Sequence, residues 1–262
     1  MNRKLVYVLA ASDYGPMIVS RLDYDTNHQG LGVGACILEN GDCEINEIIA
    51  GGQILQALRE FRGPGVTVLD GGANVGCHTV AWSNLMRGWG NVIAVEPQER
   101  VFYALCGNIA LNNCTNARAF KALLDREPGE MEIPEWDPEV AHNSGGCHMD
   151  SECDPGAPPW RWVKIRKMQI DALNLTRLDY LKLDIEGMEP KALDGARQTI
   201  WRCKPIIQAE HHLCGLDTIK LHVGDGYDYI RAGINVVCVP KGDPVWKLLE
   251  QNAKAGLLLS PD

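Results

Sequence analysis

The sequence predicts an α/β protein built on a parallel sheet, and three observations support this prediction. From residue 66 onward, short apolar segments rich in β-branched residues alternate with amphipathic segments of helical length. A glycine-rich turn directly follows the first apolar segment, in VTVLDGGANVG. Later apolar segments end in acidic residues. Such alternation indicates β-α-β units, in which crossover helices cover a parallel sheet.

The predicted sheet begins at residue 66. We expect strands at 66–70, 91–96, 117–124, 178–186 and 204–211, and helices near 78–86, 100–112 and 190–201. The segment INVVCVP at 234–240 is predicted as a final strand that lies antiparallel. Residues 125–171 are rich in Pro, Gly and Trp, and predict a long loop and β-hairpin inserted over the functional edge of the sheet.

Residues 1–52 are predicted to form a small β-rich element that precedes the main domain at 53–262. Segments such as LVYVLA and VGACILENGDCEINEII are interpreted as strands. The Asn-Gly dipeptide within ENGD at 39–42 favours a tight hairpin turn, because it supplies positive φ angles. A short helix at 53–61 is expected to link the two parts.

Composition and charge limit the classes of partner. The chain carries 34 acidic and 25 basic residues, a formal charge of −9, with no long run of one sign. This balance argues against a nucleic-acid partner, which requires a basic surface. The basic segment RWVKIRK at 161–167 is interpreted as a solvated strand face.

The predicted location is cytoplasmic, in a soluble protein without a membrane partner. The apolar segment LVYVLAA is only seven residues long and rich in β-formers, so a strand is favoured over a leader peptide. No segment approaches the roughly 18 apolar residues that span a membrane. Ten cysteines spread along the chain indicate free thiols in a reducing compartment. Cys147, His148 and Cys153 lack a second ligand pair at zinc spacing, so no zinc site is predicted there.

The glycine-rich turn has the spacing Asp70-x-Gly72-x-Asn74-x-Gly76. No register through it gives G-x-G-x-x-G, the pattern that binds a dinucleotide pyrophosphate. It resembles motif I of class I methyltransferases that use S-adenosylmethionine (SAM). This resemblance implies that the loop, including Gly71, holds SAM, and that Asp70 answers its ammonium group directly or through water.

The following strands supply further candidate SAM contacts. Glu96 ends the second strand, where a carboxylate can accept hydrogen bonds from both ribose hydroxyls. Ala122 and Leu123 in the third strand are expected to enclose adenine, with Asp125 near its exocyclic amine.

Further residues narrow the resemblance to the FkbM family of methyltransferases. The segment YLKLDIEGMEPKALDGA at 180–196 resembles that family's K-x-D-x-E-G-x-E-x-x-x-L-x-G-A signature, and KPIIQAEHH resembles its following strand. The resemblance covers about 52–240. It implies a Rossmann-like seven-stranded class I methyltransferase sheet with helices on both faces, and SAM-dependent methyl transfer, chiefly to oxygen, on small or carbohydrate-like acceptors. Oligomeric state stays open.

The predicted catalytic residues are Asp184, Glu186 and Glu210, because the carboxyl ends of strands meet at the crevice of such a sheet. Crowded carboxylates raise one another's pKa, which suits a general base near neutral pH. His211 is a further candidate base; His212 should face the opposite way. The three acids could instead hold Mg²⁺ or another hard divalent cation. Glu189 is expected to brace the next helix.

Several alternatives remain open from sequence. The turn Asn143-Ser144-Gly145-Gly146 either contacts ligand or is a plain turn. APPW at 157–160 superficially resembles the loop with which nucleic-acid methyltransferases stack a flipped base, but it lies in the insertion and lacks the polar first residue. The other candidate functions are a non-catalytic SAM-binding or scaffold module and a nicotinamide oxidoreductase, the latter disfavoured because G-x-G-x-x-G is missing.

Overall fold

A computed structural model describes residues 5–24, 32–146 and 161–254. The strands are β1 Tyr7–Ser12, β2 Gly15–Ser20, β3 Val66–Gly71, β4 Gly90–Val95, β5 Ala117–Phe120, β6 Leu123–Leu124, β7 Gly129–Glu135, β8 Arg161–Met168, β9 Tyr180–Leu183, β10 Ile206–Glu210, β11 Tyr227–Ala232 and β12 Asn235–Pro240. The helices are α1 Val33–Asn40, α2 Ile45–Arg62, α3 Cys77–Leu85, α4 Glu99–Leu111, α5 Glu189–Asp194, α6 Arg197–Cys203, α7 Leu216–Val223 and α8 Val245–Lys254, with a 3-10 helix at Ile170–Leu173.

The main sheet has seven strands in the order β11-β12-β10-β9-β3-β4-β5. Strands β5, β4, β3, β9 and β10 run parallel, and β12 is antiparallel to both of its neighbours. The predicted seven-stranded sheet and its antiparallel final strand are therefore confirmed.

Both faces of this sheet are buried under apolar side chains. Successive residues of each strand point to opposite faces, so Val68 and Tyr180 lie in one core while Leu69 and Leu181 lie in another. The first core includes side chains of α2, α3 and α8, and the second includes those of α5, α6 and α7. Helices therefore cover both faces, as the sequence predicted.

The N-terminal part is half helical, so the predicted strands at 33–49 are wrong. Strands β1 and β2 form an antiparallel hairpin, but the following segment forms α1 and the start of α2. Gly41 ends α1 with φ of 82°, because the left-handed conformation that suits a hairpin turn also caps a helix C-terminus. Helix α2 continues across the domain boundary predicted at residue 52, and the division into two domains stays a prediction.

Two other elements differ from prediction. The strand expected at 117–124 is divided between β5 in the main sheet and β6 in a separate three-stranded sheet of order β6-β8-β7. The helix expected at 190–201 is two helices that meet at Gly195, where an added Cβ would lie 2.2 Å from the Asp125 carbonyl oxygen. The predicted hairpin in the insertion is present, because β7 and β8 pair antiparallel.

Other sequence predictions concern cysteines, the membrane and segments near the insertion. The described cysteines are free thiols: Cys36, Cys43, Cys77, Cys106, Cys114, Cys203, Cys214 and Cys238. Within the described ranges, no helix is both long and apolar enough to cross a membrane. The Cys147–Cys153 cluster and the APPW segment lie outside the described residues.

Packing of α2 on α3 gives a prediction about stability. An alanine Cβ at the buried Gly51 would lie 2.4 Å from Trp82 Cζ2, and Trp82 is fixed because its Nε1 donates to the Ile48 carbonyl at 3.1 Å. We expect Gly51→Ala to lower the free energy of unfolding by about 1–3 kcal/mol through overpacking. Urea unfolding followed by circular dichroism measures this change.

The neighbouring Gly52→Ala is the matched control. Its Cβ would contact only the flexible end of Leu85, at 3.3 Å. We expect no loss, or a gain of up to about 1 kcal/mol from helix propensity. Equal stability of the two variants would contradict tight α2–α3 packing at Gly51.

Candidate active site

A large cavity lies at the carboxyl edge of the parallel strands. Strand β3 lies between β4 and β9, so the order of connections reverses there and a crevice opens, as in other open α/β sheets. The cavity measures about 1220 Å³ including its open mouth. Residues that follow β3, β4, β9 and β10 line it, together with parts of the insertion and the N-terminal segment.

The loop after β3 approaches its neighbours so closely that glycine is required. Gly72 has φ of 75°, and an added Cβ would lie 1.8 Å from the Asp184 carbonyl oxygen. Gly76 has φ of 97°, and its Cβ would lie 2.7 Å from Leu105 Cδ1. Gly72 and Asn74 line the cavity, whereas Gly71 and Gly76 shape the loop from behind it.

Glu96 is an acid of the cavity wall that two backbone amides hold in place. Its Oε2 accepts a hydrogen bond from the Asn74 amide at 3.0 Å, and its Oε1 accepts one from the Gln98 amide at 2.8 Å. Burial raises the pKa of Glu96 to about 7, although both amide hydrogen bonds act in the opposite direction. Each oxygen keeps a lone pair that can accept a ligand hydroxyl.

The wall beyond β5 is apolar. Ala122 and Leu123 are buried and line the cavity, as their predicted role in enclosing adenine requires. Asp125 does not line it. Its carboxylate accepts the Glu127 amide at 3.1 Å and pairs with Lys167 at 3.3 Å, so its predicted place beside the adenine amine is not supported.

The turn at 143–146 belongs to the cavity wall. The Ser144 carbonyl accepts a hydrogen bond from Gln98 Nε2 at 2.7 Å. The Ser144 amide and hydroxyl both donate to Asp23 Oδ1, at 2.8 and 2.9 Å. This part of the insertion is thereby fixed against α4 and the N-terminal segment, and favours the ligand-contact interpretation over a plain turn.

Lys182 is buried between two carboxylates of the site. Its Nζ lies 3.6 Å from Asp70 Oδ1 and 3.2 Å from Asp184 Oδ2. Burial alone would lower the pKa of Lys182, but the surrounding carboxylates together raise it well above its ordinary value. The charged lysine therefore links the acid of the glycine loop to the acid after β9.

Asp70 lies behind the cavity wall. Its side chain is fully buried, and Oδ2 accepts the Thr79 hydroxyl at 2.6 Å. The predicted direct contact between Asp70 and an ammonium group is therefore not supported, because Lys182 and Thr79 already occupy its surroundings. Its role here is to hold Lys182 and the start of α3.

Three acids occupy the end of the cavity beside β9 and β10: Asp184, Glu186 and Glu210. Burial, then the charges of Asp184 and Glu189, raise the pKa of Glu186 to about 7. Burial, then the charges of Asp184 and Glu186, raise the pKa of Glu210 to about 9. The sequence therefore predicted correctly that these three acids come together.

The two histidines after β10 exchange the roles that the sequence favoured. His211 is buried outside the cavity lining, and its amide donates to the Ile234 carbonyl at 2.9 Å. His212 instead places Nδ1 3.0 Å from Glu210 Oε1. The predicted role of His211 as a base is not supported by this position. Glu189 is buried and its Oε1 accepts the Ile185 amide at 2.9 Å, consistent with a bracing role.

The candidate cation site differs from the predicted set of three acids. Among the described residues, Glu186, Glu210 and His212 place ligand atoms within 4.8 Å of one another. Two carboxylates and an imidazole are a donor set that suits Mn²⁺, Fe²⁺ or Zn²⁺ better than Mg²⁺.

Sequence reasoning missed the part of the wall that precedes the sheet. Gly32, Val33, Cys43, Glu44 and Glu47 line the cavity. No motif marked these residues, and the strands predicted at 33–49 concealed their place near the starts of α1 and α2. Asn235, at the start of β12, was also missed.

The seven-stranded sheet and the glycine loop after β3 together define a class I methyltransferase fold. A sequence model described as the methyltransferase FkbM domain matches residues 70–225, which is more than half of the chain. The chain therefore belongs to the FkbM methyltransferase family. A search of curated proteins found no match to this sequence.

Three solved structures that this chain resembles share at most 15% of its sequence. The FkbM methyltransferase of Methylobacillus flagellatus KT is 14% identical with a TM-score of 0.48, covering 79% of this chain and 64% of its own. The precorrin-6y C5,15-methyltransferase of Geobacter metallireducens GS-15 is 15% identical with a TM-score of 0.40, and the match covers 73% of this chain and 84% of that one. The tRNA (uracil-54, C5)-methyltransferase of Pyrococcus abyssi is 12% identical with a TM-score of 0.43, and the match covers 90% of this chain and 44% of that one.

The buried pairing of Lys182 with Asp70 gives a prediction about stability. Lys182→Met should lower the free energy of unfolding by about 3–5 kcal/mol, because Asp70 is left buried without its positive partner. The Lys182→Met/Asp70→Asn double variant should regain part of this loss, since no uncompensated charge remains at Asp70. Urea unfolding at neutral pH tests both, and a single variant as stable as the parent would disprove the pairing.

Proposed function

We propose that this chain transfers a methyl group from SAM to a hydroxyl group of a small or carbohydrate-like acceptor. The observation that carries the proposal is Glu96, a buried carboxylate held by two loop amides in the cavity wall beside the glycine loop. This arrangement suits two neighbouring ribose hydroxyls. Membership of the FkbM methyltransferase family supports the same reaction class.

The wall offers a surface for each part of adenosine. Ala122 and Leu123 would enclose the adenine ring, Glu96 would accept hydrogen bonds from the ribose, and Gly72 and Asn74 allow close approach of the loop backbone. When bound, SAM supplies an electrophilic methyl group on a sulfonium. The remaining task of the chain is to position the acceptor hydroxyl and take its proton.

Glu186 is the proposed general base. A base must be deprotonated when it acts, and with a pKa of about 7 a large share of Glu186 is deprotonated at neutral pH. Glu210, whose pKa is about 9, would mostly carry a proton in the same range and would donate a hydrogen bond. Asp184, held by Lys182, would orient the acceptor.

The acceptor class is argued from charge. The described cavity wall carries one lysine, Lys182, against the carboxylates of Glu44, Glu47, Glu96, Asp184, Glu186 and Glu210. Such a wall repels phosphate, which disfavours nucleic-acid substrates. Hydroxyl groups, in contrast, can donate hydrogen bonds to these acids.

A divalent cation is the alternative means of removing the acceptor proton. It would be held by Glu186, Glu210 and His212, and it would lower the pKa of an acceptor hydroxyl by acting as a Lewis acid. Dialysis against a chelator separates the two cases, because turnover that survives metal removal leaves Glu186 as the base.

Cofactor binding is tested first by calorimetric titration with SAM, S-adenosylhomocysteine and NAD. We expect binding of the first two and none of NAD, since the loop lacks G-x-G-x-x-G. Glu96→Ala should weaken SAM binding by about 1–3 kcal/mol, because a charged hydrogen-bond acceptor is lost. Glu99→Ala, a nearby acid outside this cavity, is the control. An unchanged dissociation constant for Glu96→Ala would disprove the ribose assignment.

The pH dependence of methyl transfer tests the base. With Glu186 as the base, kcat/KM should rise with pH through about 7, because the carboxylate must lose its proton. Glu186→Gln should lower kcat by about 10²–10⁴-fold and remove this rise, while SAM affinity is kept. Glu60→Gln, on the exposed face of α2, is the control.

If kcat/KM of the Glu186→Gln variant still rises with pH through about 7, another residue is the base. If the parent protein binds SAM but methylates no hydroxyl acceptor, a SAM-binding or scaffold module is favoured instead.

A further inference from the structure

The turn between α1 and α2 brings an unassigned acid into the cavity. Glu44 directly precedes α2 and lines the cavity, although it lies outside the family match at 70–225. The inference below concerns what this side chain binds, and it rests on the proposed function.

The strand order fixes how adenosine would lie along the edge of the sheet. The apolar wall at Ala122 and Leu123 follows β5, Glu96 follows β4, Gly72 follows β3 and Asp184 follows β9. These strands are consecutive neighbours, about 4.8 Å apart. A ligand with adenine beyond β5 and ribose beyond β4 must therefore place its amino-acid part beside β3 and β9.

An ammonium group at that position is best matched by a carboxylate that protein donors engage least. Asp70 is buried behind the wall, and Asp184 already pairs with Lys182. Both oxygens of Glu47 already accept a side-chain hydrogen bond, because Oε1 accepts Asn235 Nδ2 at 3.0 Å and Oε2 accepts Gln208 Nε2 at 3.2 Å. Each of these three acids is therefore buried or already engaged by protein donors.

Glu44 meets the requirement. Its one polar neighbour within ion-pair distance, among the described residues, is His78, whose Nδ1 lies 3.5 Å from Glu44 Oε2. Burial lowers the pKa of His78 well below its ordinary value, so His78 is neutral and does not balance the charge of Glu44. The Glu44 side chain is 41% exposed because it faces the open cavity.

The backbone at Glu44 is held in place by the N-terminal hairpin. The Tyr14 hydroxyl, in the turn between β1 and β2, donates to the Cys43 carbonyl at 2.5 Å and accepts from the Cys43 amide at 2.9 Å. Glu44 itself has φ of 60°, in the left-handed region. Tyr14 is thus a positioning residue that fixes the turn from which Glu44 extends.

We propose that the Glu44 carboxylate binds the ammonium group of the amino-acid part of SAM. This assigns to the N-terminal segment the role that the sequence suggested for Asp70. Partial removal from bulk water inside the cavity raises the pKa of Glu44 to about 7; the charge of Lys182 opposes this rise, and the charges of Asp184 and Glu47 reinforce it. A bound ammonium group would lower this pKa, because it stabilises the carboxylate.

The test compares ligands with and without the amino-acid part. The full chain and its Glu44→Gln variant are titrated calorimetrically with SAM, S-adenosylhomocysteine and 5′-methylthioadenosine, which has no ammonium group. We expect Glu44→Gln to weaken the first two by about 10- to 100-fold, because a hydrogen bond between two charged groups is lost. Affinity for 5′-methylthioadenosine should stay unchanged. Glu39→Gln, exposed on α1, is the control.

Three other outcomes would overturn the inference. Equal weakening of all three ligands would mean that Glu44 shapes the cavity and does not recognise the ammonium group. Unchanged affinity for all three would exclude any contact. Both results leave the proposed function intact, whereas a parent protein that binds none of the ligands would overturn the proposed function and this inference together.

Discussion

The buried charge of Lys182 is the constraint on which the rest of the site depends. A lysine in the central strand β9 can stay charged only if carboxylates surround it, and Asp70 and Asp184 do so at 3.6 and 3.2 Å. These two acids end neighbouring strands. The pairing therefore ties the glycine loop after β3 to the acidic loop after β9, at the point where the sheet opens.

Close backbone approach is the second constraint. Gly72 lies so near the Asp184 carbonyl that no side chain fits between them, and Asn74 offers its amide to Glu96. The wall is thus formed as much by main chain as by side chains. It carries an excess of carboxylates, and burial together with mutual repulsion raises the pKa values of Glu96, Glu186 and Glu210.

The N-terminal segment contributes to this wall. Hairpin β1–β2 is joined to α4, because Asn108 accepts the Ile18 amide at 2.5 Å and donates to the Ile18 carbonyl at 3.1 Å. The same hairpin holds the turn before α2 through Tyr14. Glu44 therefore reaches the cavity from a segment that lies far in sequence from every recognisable motif.

The sequence by itself determined the sheet, the loop spacing, and the convergence of Asp184, Glu186 and Glu210, because each depends on local patterns and on the rule that strand ends meet at one edge. It could not distinguish helix from hairpin at 33–49, since the same Asn-Gly pair that favours a hairpin turn also ends α1. Only the tertiary structure decided that Asp70 is buried, that His212 and not His211 adjoins Glu210, and that Glu44 lines the cavity. Those outcomes depend on contacts between distant segments, which set burial and therefore which polar atoms stay free for a ligand.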